Sequence, residues 1–65
     1  MQALGFERVT AGDLKLGDVA GKTKVGAKTI TDLERNANSV WLTFNNEGGR
    51  IRPGLTVKFW RRVFA

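Results

Sequence analysis

The chain has 65 residues, neither cysteine nor histidine, and eleven Lys+Arg against six Asp+Glu, for a net charge of +5. A chain of this length is a single small domain, here residues 1–65, burying only ~60% of the surface its unfolded form exposes. Disulfides, Cys/His metal centres, thiol nucleophiles and histidine bases are excluded, and the positive charge favours a polyanionic partner.

The first ten residues, "MQALGFERVT", lack a charged segment leading into an apolar one, so no secretory signal is visible. No apolar run approaches the ~18 residues of a membrane span, and the expectation is a cytoplasmic protein. Eight glycines and one proline cut the chain into short pieces, a pattern that predicts an all-β domain. In "DLKLGDV" Leu14 and Leu16 alternate with Lys15. The segment reads as a leading strand or one-turn helix, a turn at Gly17-Asp18, and then the first barrel strand.

"KTITDLER" reads as a strand leading through "NANS" into a hairpin. Ile30 and Leu33 are three apart, which a period of two cannot place on one face; a β-bulge near Thr31 or Asp32 restores them to it. A short helix capped by Thr29 is the rival. In "SVWLTFNNEGGRIRP" Val40, Leu42 and Phe44 alternate with Trp41, Thr43 and Asn45, and Asn46–Gly49 supplies a turn. The register that closes the pattern sets Asn45 opposite Arg50, Phe44 opposite Ile51 and Thr43 opposite Arg52, with Phe44 and Ile51 inward. After a turn at Pro53-Gly54, "LTVKF" alternates Leu55, Val57 and Phe59 against Thr56 and Lys58.

The closing run, "TVKFWRRVFA", admits two periods. As a strand it sets Arg61 on the side of Phe59, implying that the inner face has reached its rim, and Lys58, Trp60 and Arg62 on the other. As a helix it gathers Val57, Trp60 and Phe64 against Lys58, Arg61 and Arg62, a short segment that needs a membrane or a partner. The strand is preferred through Phe59, followed by a basic aromatic tail that meets a partner.

Motifs for chemistry are weak. Asp13 and Asp18 flank a turn without a partner base, so they read as turn-forming residues. "GDVAGKT", Gly17 to Thr23, has three residues where a P-loop needs four, and no helix pattern follows. It reads as a basic loop with Lys22, Lys24 and Lys28 exposed. If Val40, Leu42, Phe44, Ile51, Val57 and Phe59 face inward, then Trp41, Thr43, Arg50, Arg52, Lys58, Trp60 and Arg62 face out. Arginine and lysine suit phosphates, and indoles stack on unpaired bases for ~1–3 kcal/mol each. The same tryptophans could instead pack under the loop from Val19 to Val25, or anchor a protein interface.

The order "VTAGDLKLGDVAGKT…ITDLER…SVWLTFNNEGGRIRPGLTVKF", from Val9 to Phe59, resembles the small β-rich proteins of actinobacteriophages, mycobacteriophages especially. These share the cadence of DLKxGD, a V-x-L-T-F strand with a glycine turn, R-x-R-P and a terminal valine-rich strand. The resemblance implies an SH3-like small barrel and a phage accessory protein of the host cytoplasm, and it assigns no residue a role. "WRRVFA" lies outside that cadence.

The expected fold is therefore all-β, a small SH3-like or related open barrel of about five short strands. The expected function is a non-catalytic module without cofactor or metal that binds nucleic acid, DNA rather than RNA. Arg50, Arg52, Lys58 and Arg62 would contact it, with Trp41 and Trp60 stacking or anchoring. The alternative is a protein-interaction module whose same face docks a host or phage protein, or a second copy as a homodimer. A membrane-surface helix over Val57 to Ala65 ranks third.

Overall fold

A computed structural model of the protein describes residues 3–47 and 49–64. Gly48 of the predicted Asn46–Gly49 turn, Ala65 of the closing run, and Met1 and Gln2 lie outside the described residues. The described chain forms β1 (Ala3–Thr10), a 3-10 turn (Ala11–Asp13), β2 (Val19–Gly21), β3 (Lys28–Arg35), β4 (Val40–Phe44) and β5 (Lys58–Phe64). The strands make one five-stranded sheet of order β1-β5-β2-β3-β4, every pairing antiparallel. The fold is mostly β, as composition and glycine spacing predict.

β3 carries its bulge where the apolar spacing requires one, between Ile30 and Asp32. Ile30 then pairs with Phe44 and Leu33 with Leu42, so both reach the same face despite standing three apart. The bulge is tied down from β4: the Asn46 N–H donates to Thr31 Oγ1 at 2.8 Å, and the Asn45 N–H to Thr29 O at 2.8 Å. Asn45 and Asn46 have φ of 52° and 58°, left-handed backbone that asparagine tolerates. They close a tight turn in which the Glu47 N–H donates to Phe44 O at 2.9 Å.

That turn corrects the hairpin register. Leu42, not Phe44, faces Ile51, with reciprocal N–H···O bonds of 2.8 and 3.0 Å, and the Val40 N–H donates to Pro53 O. The chain reverses at Asn45-Asn46 rather than centrally within Asn46–Gly49, which slides the returning segment by two positions. An even slip keeps each residue on its face, so the inward and outward sets survive the error. Ile51 nevertheless fails as a core residue: it is 40% exposed, at an end of the inner face.

The approach to β5 also differs from the alternating strand expected of "LTVKF". Leu55 and Val57 are not in a strand; they lie in a turn closed by the Val57 N–H on Gly54 O at 3.1 Å. Their carbonyls instead accept from the 3-10 turn, Ala11 N–H to Val57 O at 2.7 Å and Gly12 N–H to Leu55 O at 3.0 Å. Both side chains still pack against the core. β5 begins at Lys58 and runs unbroken to Phe64, so the closing run is a strand well beyond Phe59 and the helical reading is set aside.

β5 is paired along its whole length by β1, an element the sequence pattern did not reveal. The two share the longest ladder of the fold, from Ala3↔Phe64 to Thr10↔Lys58. The core comprises Val9, Ala11, Leu14, Ala20, Ile30, Val40, Leu42 and Phe59. At ~25 cal/mol per Å² its burial is the chief term favouring folding. Leu16, predicted to share a face with Leu14, is 66% exposed because the turn at Lys15–Asp18 rotates it out.

Candidate nucleic-acid interface

β5 places two adjacent arginines on opposite sides of the sheet, Arg61 in and Arg62 out. On the inner side Val9 faces Phe59 and Glu7 faces Arg61. The Arg61 guanidinium donates to Glu7 Oε2 from Nε at 3.2 Å and Nη2 at 3.1 Å, and from Nη1 to Asp13 O at 3.2 Å and Asp18 Oδ2 at 3.4 Å. Burial acts to lower its pKa, but the hydrogen bond and charge of Glu7, then Asp18, outweigh it and the net shift is upward. Arg61 is a structural cation closing the rim of the core. Arg35 does the same from β3, Nη2 donating to Gly12 O at 2.6 Å.

The aspartates near that rim are turn-formers, as their context suggests. Asp13 accepts from the Thr10 hydroxyl at 2.9 Å, and Asp18 accepts from the Lys15 N–H at 2.9 Å. Glu47 pairs with Lys28 at 3.3 Å.

On the outer side of the β1–β5 ribbon, Phe6 faces Arg62 and Arg8 faces Trp60. The Arg8 guanidinium carbon lies 5.0 Å from the Trp60 ring centroid, and Lys24 Nζ reaches it at 4.5 Å. Arg62 sits 5.3 Å from the Phe6 ring. Lys24 comes from the β2–β3 loop, which folds back closely enough that only glycine fits at Gly21: a Cβ there would meet Gly26 O at 2.9 Å. The outward positions of this ribbon are Phe6, Arg8 and Thr10 on β1, and Lys58, Trp60, Arg62 and Phe64 on β5. None is a carboxylate, since Glu7 is turned to Arg61.

Trp41 lies elsewhere. It is on β4, and Arg50 and Arg52 stack over it at 4.1 and 5.1 Å from the ring centroid. Its cross-strand neighbour on the other side is Glu34, and Asp32 is opposite Thr43. This patch therefore mixes both signs of charge. In the sheet order β2 and β3 separate β5 from β4, ~14 Å along the sheet at ~4.8 Å per strand spacing. The predicted site residues thus form two groups, Lys58, Trp60 and Arg62 on β5 and Trp41, Arg50 and Arg52 about β4.

Sequence reasoning missed Arg8 and Phe6; it did allow a tryptophan to pack under the loop from Val19 to Val25, and Lys24 of that loop lies over Trp60. The first two become visible only with β1, and Lys24 only with the Gly21–Gly26 approach. Lys22, Lys24 and Lys28 are exposed as expected, but Lys28 opens β3, paired with Ala20, rather than lying in the loop. Among the described residues no cluster of acidic side chains is arranged to hold a metal, and no helix is long and apolar enough to cross a membrane. Comparison with known proteins gives no match to a family profile, a curated protein or a solved structure.

Proposed function

We propose that the protein is a non-catalytic DNA-binding module built on an SH3-like small barrel, and that the outer face of β1 and β5 is its principal contact surface. The observation that carries this reading is the sorting of charge by face. Arg8, Lys24, Lys58 and Arg62 surround Trp60 and Phe6 with no carboxylate on the ribbon's outward strand positions, Asp13 alone reaching its end through the Thr10 hydroxyl. Glu7, Asp18 and Glu47 are meanwhile consumed by ion pairs. The aromatic rings hold the cations out as an ordered array, so a phosphate backbone meets guanidinium groups already in place. Affinity is chiefly electrostatic and falls steeply with salt. Trp41, Arg50 and Arg52 form an outlying contact. A phage accessory protein in the host cytoplasm is the setting the sequence resemblance implies.

Replacing Arg8 and Arg62 together by Ala should reduce the salt slope of DNA binding by about 2, at ~0.9 per phosphate contact, while the fold is retained. Replacing Arg50 and Arg52 together should weaken binding less. An unchanged slope in the Arg8/Arg62 variant would refute this assignment.

A second reading is favoured by the mixed charge about Trp41, which suits a protein surface better than a polyanion. There Trp41→Ala abolishes association with a host or phage protein, or with a second copy, and DNA affinity is negligible from the start.

A further inference from the structure

β2, the start of β3, the end of β4 and β5 leave a concavity of about 210 Å³ at one end of the inner face, walled by Phe44, Ile51 and Phe59, with Gly21, Lys22 and Lys28 at its rim. Ile51, 40% exposed, is one of its lining residues. The volume exceeds the ~150 Å³ cavity that accepts benzene, so a single aromatic ring fits. Lys28 is engaged by Glu47 at 3.3 Å. Lys22 has no carboxylate partner among the described residues, and its Nζ lies 5.9 Å from the Phe59 ring centroid. With Phe59 buried beneath it, the mouth therefore offers an apolar wall of Phe44 and Ile51 and one cation without a carboxylate partner among the described residues, the complement of a planar ring bearing a single negative group.

Its position ties it to the outer face. Gly21 lines the mouth and is the ladder partner of Trp60. Lys22 and Lys24 belong to one loop, the first reaching the Phe59 ring and the second the Trp60 ring. The mouth lies on the inner side of the sheet and Trp60 on the outer, so a strand on the β1–β5 face reaches the mouth by passing around this loop, whose Lys24 and Lys22 stand on the two sides. Paired, stacked bases of a duplex cannot make that excursion without unstacking, whereas a single strand can.

We infer that the mouth seats one unpaired pyrimidine base of a DNA strand held on the β1–β5 face, with Lys22 on its phosphate, and that the protein consequently prefers single-stranded to duplex DNA. The inference rests on the DNA-binding reading and adds a base-accepting site to it.

The test is amide chemical-shift mapping of the whole protein with thymidine 5′-monophosphate, inorganic phosphate, an oligothymidylate and a duplex in turn. The nucleotide should move the amides of Gly21, Lys22, Gly26 and Ile51 at millimolar concentration, and phosphate alone should not. Ile51→Asp, at an exposed position, and Lys22→Glu in the loop should each abolish those shifts. Each should also lower oligothymidylate affinity about tenfold and leave the duplex shifts at Arg8 and Arg62 unchanged. Absence of mouth shifts with the nucleotide, or equal shifts with phosphate alone, overturns the base site while the duplex response still reports on the outer face. Mouth shifts with the nucleotide, but no response of Arg8 or Arg62 to either DNA, overturn the DNA-binding reading and the strand preference together.

Discussion

Replacing Arg61 by Ala should destabilise the protein without removing a DNA contact, and replacing Arg62, its chain neighbour, should do the reverse. The Arg61 head group makes four polar contacts, to Glu7, Asp13 O and Asp18, between 3.1 and 3.4 Å, and its side chain is only 23% exposed. The Glu7 side chain is 45% exposed, so its share is discounted to that of a surface pair, about 0.5 kcal/mol. The less exposed Asp18 carboxylate and the Asp13 carbonyl together add about 1 kcal/mol. Without the cation, Glu7 and Asp18 also lose their shared counter-charge. The expected loss is about 1.5–2 kcal/mol, which for a domain of this size lowers Tm by roughly 10 °C. Among the described residues Arg62 makes no ion pair and stacks on the Phe6 ring at 5.3 Å, and its removal should cost about 0.5 kcal/mol. Urea and thermal denaturation followed by far-UV circular dichroism measure both, with DNA titrations on the folded variants. Arg61→Lys should fall between, since it keeps the charge but loses the fork. A loss below ~0.5 kcal/mol for Arg61→Ala, or equal losses for the two arginines, would refute the assignment of one to the rim and the other to the surface.

Leu42 is fully buried at the junction of β3, β4 and the returning segment; Leu42→Ala should cost about 3 kcal/mol, enough to leave much of so small a domain unfolded at 37 °C by circular dichroism. Gly21→Ala places a Cβ 2.9 Å from Gly26 O, so it should cost about 1–3 kcal/mol and displace Lys24 from Trp60, read as a shift in indole emission. Asn46, at φ 58°, should tolerate glycine and lose about 1–2 kcal/mol to valine, whose branched side chain resists left-handed backbone; chemical denaturation separates the two.

How far the fold could be seen in the sequence depended on whether the controlling interaction was local. The β3 bulge was legible because Ile30 and Leu33 have the wrong spacing for an unbroken strand and the right one for a bulged strand. The β4 hairpin was legible as an element but not in register. "NNEGG" offers several places to reverse, and the choice falls to the Asn45 and Asn46 bonds with Thr29 and Thr31. β1 was hidden because its inward positions include Gly5 and Glu7 rather than an apolar series. Glu7 belongs there only because Arg61, 54 residues later, needs a carboxylate. The rim role of Arg61 could be suspected from its parity with Phe59, but not its partners. For the same reason half of the outer face, Arg8 and Phe6, was out of reach, while Lys58, Trp60 and Arg62 followed from alternation alone. The division of the two tryptophans between distant strands is a matter of sheet order, on which local pattern is silent.

The central claim is that the charge on the outer face of β1 and β5 is there for DNA. The most direct measurement is a titration of fluorescein-labelled single-stranded and duplex DNA at ~50 and ~200 mM salt, following intrinsic tryptophan emission and comparing the protein with its Arg8→Ala/Arg62→Ala variant. The account predicts binding that weakens steeply between the two salt concentrations, a change in Trp60 emission on binding, and a shallower salt dependence in the variant. No binding to either DNA at the lower salt concentration, or binding that the variant retains in full, would contradict it.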